Sequence, residues 1–348
     1  MNFIHRLFLA SGASFVIAAR LFCSTVLASV PAPSAPLQEE IQYLTASQLA
    51  EEENLMAILW VQRSAEFRGL SYQAYNLATR TVDEAIAQRR EKEKNLRKTK
   101  EIITDPRNRL LPLAVVLDID DTIVCHAPLE SYYTEHPEAK ADYNAWEHWI
   151  STHKLLLPGA ADFLKYADRK GIQVFYVTGR GPQDKKVTED FLQKAGLPFP
   201  DRFHLLMNDS SGGKMNHFAK LARRYDIICY LGDNVADFPI GASRDENPVI
   251  YKKDFADNTS GIPETDMQSG KQKTGMPLDI QAMLKRDKNA TRNRIIDAHK
   301  KSFGTAFILL PNPMYGDWEY NLAQKFRRLP AEERIALRKA ALKSFEFN

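Results

Sequence analysis

The stretch AVVLDIDDTIV, residues 114–124, decides how this chain is read. Its apolar, β-branched first half has the pattern of a strand buried on both faces of a parallel sheet. It ends in three carboxylates within four residues, Asp118, Asp120 and Asp121. Such charge density at the end of a buried strand is costly unless something offsets it. A bound cation together with a phosphate would do so.

Outward from that stretch, short apolar runs alternate with helical ones. Strands are expected at 111–117, 172–178 (IQVFYVT), 203–207 (FHLLM), 227–232 (IICYLG) and 249–251 (VIY). Helices are expected at 158–171, between Pro158 and Gly171, and at 183–195 and 214–224. This alternation predicts an α/β fold of βαβ units, a parallel sheet covered on both faces. Ligands bind such sheets beyond the carboxyl ends of the strands. The phosphate-handling core is expected over 111–255. Two segments interrupt it: residues 125–157, rich in aromatics and read as a lid, and the polar stretch 256–280, read as a surface loop. Before the core, residues 45–110 read as helical, with Trp60, Phe67, Leu70, Ala74 and Leu77 at spacings that put them on one helical face. The AQRREKEKNLRKTKE that follows mixes both signs, as a solvated helix face does. After the loop, 281–348 supplies an apolar run, AFILLP at 306–311, and an amphipathic helix around PAEERIALRKAALKSF.

Composition limits the function classes. Over 348 residues, Lys+Arg 47 against Asp+Glu 44 gives a net charge of +3, too balanced for the basic footprint of a protein that binds nucleic-acid polymers. Residues 1–28 have an early basic group, an apolar stretch from Leu7 to Ala19, and small residues at Val26 and Ala28, the pattern of an export signal. Residues 29–44 form a Pro-rich linker. Cys23 could carry a lipid and attach the chain to a membrane, although the bulky Arg20-Leu21-Phe22 precede it where small residues would be expected. Cys125 and Cys229, the remaining two, do not make a disulfide framework and read as small buried hydrophobes.

Four features fall at the ends of expected strands: DIDDT after the first, Thr178 in VTGR after the second, Lys214 in GGKMNHF after the third, and Asp233 with Asp237 in GDNVADF after the fourth. Each alone is a common turn. In this order they meet the requirements of phosphoryl transfer, which needs a cation to offset the phosphate's charge and donors for its nonbridging oxygens. Asp118 and Asp233 would offer carboxylate oxygens to a hard ion such as Mg²⁺, with the backbone carbonyl of Asp120 as a third ligand. Lys214 and the Thr178 hydroxyl would face the other phosphoryl oxygens. Asp118 would be the nucleophile, and the Asp120 side chain the group that protonates the leaving oxygen and then activates water. Asp237 would back up the cation's ligands or orient Lys214; Asp121 and Thr122 would brace the turn.

DIDDT, VTGR, the lysine and GDNVADF are similar to the four motifs of the haloacid dehalogenase superfamily. More narrowly, WVQRSAEFRGLSYQAYN, DYNAWEHWI, PGAADFLKYADRKGIQVFYVTGR and ILLPNPMYGDWE resemble the bacterial class C acid phosphatases, exported lipoprotein 5′-nucleotidases. That resemblance implies a Rossmann-like doubly wound parallel sheet with a small, largely helical accessory domain. It also implies Mg²⁺ dependence, and hydrolysis of nucleoside monophosphates and other monoesters in the periplasm or at the outer membrane. Residue by residue, it implies Asp118 as nucleophile, Asp120 as acid/base, Thr178 and Lys214 as phosphate-binding groups, and Asp118, Asp120 and Asp233 as metal ligands. Trp146, Trp149 and Tyr315 become candidates for stacking on the leaving group, or else for core packing. CHAPLESYY at 125–133 departs from the Asn-Ser-containing stretch expected after the first motif. Two other activities fit the same residues: phosphotransfer to an alcohol through the same aspartyl-phosphate, and surface binding or adhesion on a phosphatase fold.

Overall fold

The structure, a computed structural model, describes residues 45–99, 110–208, 213–240, 280–284, 289–323 and 325–343. The expected signal and linker, Cys23, the strand at 249–251 and all but the last residue of the 256–280 loop lie outside them. The described residues from Ala46 onward belong to one compact unit.

Among the described residues five strands form the sheet: β1 (Leu113–Leu117), β2 (Gln173–Val177), β3 (Leu205–Leu206), β4 (Asp226–Gly232) and β5 (Phe307–Leu309). Their order is β3-β2-β1-β4-β5, and every neighbouring pair is parallel. Because β1 sits in the middle, the chain winds first to one side of it and then to the other, and a crevice opens where the winding reverses. Asp118 follows β1 at that point. Before the sheet come α1 (Ala46–Glu52), α2 (Leu55–Arg63) and the 35-residue α3 (Ala65–Thr99). Between β1 and β2 lie α4 (Ala127–Glu135), α5 (Tyr143–Thr152) and α6 (Ala160–Arg169). Then α7 (Lys185–Lys194) precedes β3 and α8 (Gly213–Ala222) precedes β4. The chain ends through α9 (Ile280–Leu284), α10 (Asn289–Ala298), β5, α11 (Asp317–Tyr320) and α12 (Ala331–Ala341).

Alternation along each strand sends side chains to two cores. Val115 and Leu117, with Val174, Tyr176, Cys229 and Leu231, meet Ala78 of α3, Phe163 and Leu164 of α6 and Leu192 of α7. On the other face Ala114 and Val116, with Phe175, Val177 and Phe307, meet Phe218 and Leu221 of α8 and Ile295 of α10. Strands clad on both faces explain why they read as unbroken apolar runs. β3 keeps only two of the five residues expected of it, and α12 packs on α1 through Ala50, Ala331 and Ile335.

The N-terminal helical reading needs a correction. The face expected to run through Trp60, Phe67, Leu70, Ala74 and Leu77 is broken at Ser64, whose backbone is extended and whose hydroxyl accepts the Phe67 N–H at 3.0 Å. Ser64 therefore ends one helix and caps the next. Leu70 is 40% exposed, and the inward face of α3 is Phe67, Ser71, Ala74, Tyr75, Ala78 and Val82.

Candidate active site

The site begins where β1 ends. The Asp118 N–H still donates to the Leu231 carbonyl at 3.0 Å, so its carboxylate is held at the rim of the sheet. The chain then turns through Asp121, whose φ of 47° lies in the left-handed region. That strained turn is held on several sides. Asp121 N–H donates to the Val124 carbonyl at 2.8 Å, and its carboxylate accepts the His126 N–H at 2.9 Å and the Tyr315 hydroxyl. The Thr122 carbonyl accepts the Tyr75 hydroxyl, and the Thr122 hydroxyl donates to Asp233 at 3.3 Å.

Three carboxylates converge beside this turn. Oxygens of Asp118, Asp233 and Asp237 all lie within 4.8 Å of one another. Lys214, at the start of α8, donates to Asp118 at 2.5 Å and to Asp237 at 2.6 Å. The second oxygen of Asp237 accepts the Asn234 N–H at 2.8 Å, and Asn312 donates to Asp233 at 2.8 Å. Burial pushes the Asp118 carboxyl up to about 7 despite the pull of Lys214, and burial with Asp237 and Asp118 nearby pushes Asp233 well above the carboxylate range. Lys214, penalised by burial, is nonetheless raised by its two carboxylate partners and stays charged. When all are ionised, three carboxylates against one ammonium leave two negative charges. An all-oxygen donor set with that excess fits a hard divalent cation.

Asp120 lies apart from that cluster. Arg180 holds its carboxylate through Nε at 3.0 and 3.2 Å and Nη2 at 2.6 Å, and His126 Nε2 lies 3.0 Å away. Burial alone would raise its proton affinity, but these two cations overcome it and hold the carboxyl below its usual range. For His126 burial works against the proton and Asp120 prevails, so the imidazole is raised. Thr178, fully buried after β2, accepts the Arg180 N–H at 3.1 Å. Its hydroxyl proton is therefore what it has to give.

The three aromatic candidates have separate surroundings. Trp149 is 6% exposed and packs against His126. The Tyr315 hydroxyl is bound to Asp121. Trp146 lies under the Arg180 guanidinium, 5.0 Å from ring centre to carbon. Arg180, His126 and Asn312 escape sequence reasoning. The only signal for them is position: Arg180 is two residues past Thr178, His126 follows the first motif by four, and Asn312 opens the NPMYGDWE run.

Comparisons with known proteins converge. The model of the family described as HAD superfamily, subfamily IIIB (acid phosphatase), matches residues 32–318. Among solved structures, the class C acid phosphatase from Bacillus anthracis has a TM-score of 0.60 and 26% identity over 86% of this chain and 100% of that one. The structure of that enzyme with tungstate bound gives 0.61, with the same identity and coverage.

Proposed function

Because the chain belongs to the HAD superfamily, subfamily IIIB acid phosphatases, and so hydrolyses small phosphate monoesters, we propose that it is an exported, Mg²⁺-dependent 5′-nucleotidase working through an aspartyl-phosphate. One observation carries this reading: Asp118, Asp233 and Asp237 converge on one point with Lys214 between two of them. HAD phosphatases generally use a divalent metal. Held by these carboxylates, with the Asp120 carbonyl as a further ligand, Mg²⁺ would offset the charge of the phosphate and polarise its oxygens.

An oxygen of Asp118 attacks phosphorus as the bond to the leaving oxygen breaks. Lys214 and the Thr178 hydroxyl hold nonbridging oxygens, and the tetrahedral oxyanion bound to the Bacillus anthracis enzyme suits such a seat. Asp120 gives its proton to the leaving oxygen, then takes one from the water that cleaves the Asp118–phosphate bond. Arg180 and His126 keep Asp120 ionised in the free enzyme, the form that activates water. An incoming phosphate brings negative charge beside it and favours the protonated form that the first step needs. Export is supported by the pattern of residues 1–28; on this reading the mature chain works in the periplasm or, through a lipid on Cys23, at the outer membrane of a bacterium. No helix among the described residues is long and apolar enough to cross a membrane.

Purified protein should release phosphate from nucleoside 5′-monophosphates, stop on chelation and resume with Mg²⁺. Asp118→Asn should abolish turnover, since an amide is neither a nucleophile nor a good ligand for a hard cation. Full activity in that variant, or none in the wild type across a broad monoester panel, would end the proposal.

A further inference from the structure

Three aromatic side chains of α5 sit at 143, 146 and 149, each about one helical turn from the last, and so share one face. Each reaches a different part of the site's loops. The Tyr143 hydroxyl donates to Asp184 at 2.7 Å, and the other oxygen of Asp184 accepts the Gly181 N–H at 3.0 Å, in the turn that follows Thr178. The ring of Trp146 lies 5.0 Å from the guanidinium carbon of Arg180, the group that grips Asp120. Trp149 meets the ring of His126 at 4.8 Å and 88°, and His126 Nε2 lies 3.0 Å from the same Asp120 oxygen that Arg180 Nη2 holds at 2.6 Å.

These contacts are not those of a platform for a leaving group. Trp149 is buried, and one face of Trp146 is occupied by a cation. We propose instead that α5 positions the acid/base: Trp146 through Arg180, and Trp149 through His126, fix the Asp120 carboxylate from two sides. The inference rests on Asp120 being the acid/base, as read above. A guanidinium has three attachments here, the carboxylate ahead, Thr188 at 2.9 Å behind and the indole face below. Without the indole it keeps the first two and can tilt about the line that joins them, carrying Asp120 off the path to the leaving oxygen. Trp146 and Trp149 are thus positioning residues, not catalytic ones.

The test compares kcat/KM for three monoesters, because that ratio reports the step in which the leaving group departs. The p-nitrophenolate of p-nitrophenyl phosphate leaves without a proton; the alkoxides of glycerol phosphate and of a nucleoside 5′-monophosphate need one. For Trp146→Leu, both alkyl esters should fall together by about 10- to 100-fold, the scale of a misplaced general acid, while the nitrophenyl ester falls much less. Trp146→Phe, which keeps an aromatic face for Arg180, should recover most of the loss. In an Arg180→Met background, Trp146→Leu should add little. A loss confined to the nucleotide and the nitrophenyl ester, with glycerol phosphate spared, would make Trp146 a stacking platform and overturn the proposal. An equal loss on all three would mark a structural defect and overturn it too. Asp120→Asn separates the two levels: if it lowers all three esters alike, the acid/base reading fails, and if it spares the nitrophenyl ester while Trp146→Leu does not, only the role of α5 fails.

Discussion

Chelating the divalent cation from this protein should make its stability fall as pH rises from the ordinary carboxylate range to about 7, the reverse of the usual trend for paired acids. Asp118 is 8% exposed, and burial raises its carboxyl from 3.8 to about 7 even with Lys214 at 2.5 Å. In that window the folded chain binds a proton that the unfolded chain has lost. Stability is therefore greatest below the unfolded value and drains away as pH climbs through the folded one. At about 1.4 kcal/mol for each tenfold change, Asp118 alone removes about 4 kcal/mol, roughly 8 °C of Tm at about 2 °C per kcal/mol for a chain of this size. A bound cation takes the proton's place, so its stabilisation should be small at the acid end and large near neutrality. Scanning calorimetry with and without Mg²⁺, in wild type and in Asp118→Asn, isolates the effect from other titrating groups. The amide cannot ionise, so without the cation Asp118→Asn should melt above wild type near neutral pH and level with it in acid. If it instead melts below wild type at neutral pH in chelator, or if both slopes are equal, the charge accounting at this cluster is wrong.

Gly232→Ala should disable the cluster from beneath: a Cβ there would lie 2.2 Å from the Asp237 Cβ and 2.4 Å from its Oδ2. Displacing Asp237 and with it Lys214 should cost about 100-fold in kcat/KM. Asn312→Leu removes the donor to Asp233 at 2.8 Å and should weaken the apparent affinity for Mg²⁺ by about 10- to 100-fold, read from activity titrations. Tyr75→Phe leaves the buried Thr122 carbonyl without the hydroxyl of Tyr75; urea unfolding should show a loss of about 1–3 kcal/mol.

The sheet was legible because its strands are buried on both faces. Runs such as AVVL (114–117) and VFYV (174–177) are apolar at every position, and the crossover α6 has its own stop at Gly171. The carboxylates at the ends of those runs stood out for the opposite reason, as charges where the pattern predicts none. Proximity across the sheet then follows from topology. With β4 beside β1, Asp233 and Asp237 must lie near Asp118, whatever the 114 residues between Asp118 and Asp233 do. Phase along a helix is a weaker guide. The period joining Trp60 to Leu77 ran across Ser64, where one helix ends and the next is capped, and within α3 the buried face runs through Phe67, Ser71, Ala74 and Ala78, which leaves Leu70 40% exposed.

Side-chain partnership is harder still to read, and the aromatics of α5 show why. A tryptophan offers a flat π face, and the same face receives a nucleobase or a guanidinium, so neither composition nor spacing tells which one comes. The choice is made by Arg180, 34 residues further on, which emerges beyond β2 with its N–H tied to Thr178 and its guanidinium aimed at Asp120. A buried arginine needs acceptors for its donors and a surface to lie on. Asp120 and Thr188 meet the first need and Trp146 the second. The helix inserted after β1 therefore completes the surroundings of a cation whose other side grips Asp120, the proposed acid/base. Sequence variation at Trp146 should be tolerated only where an aromatic ring is retained, and a charged or aliphatic residue there should appear together with loss of Arg180.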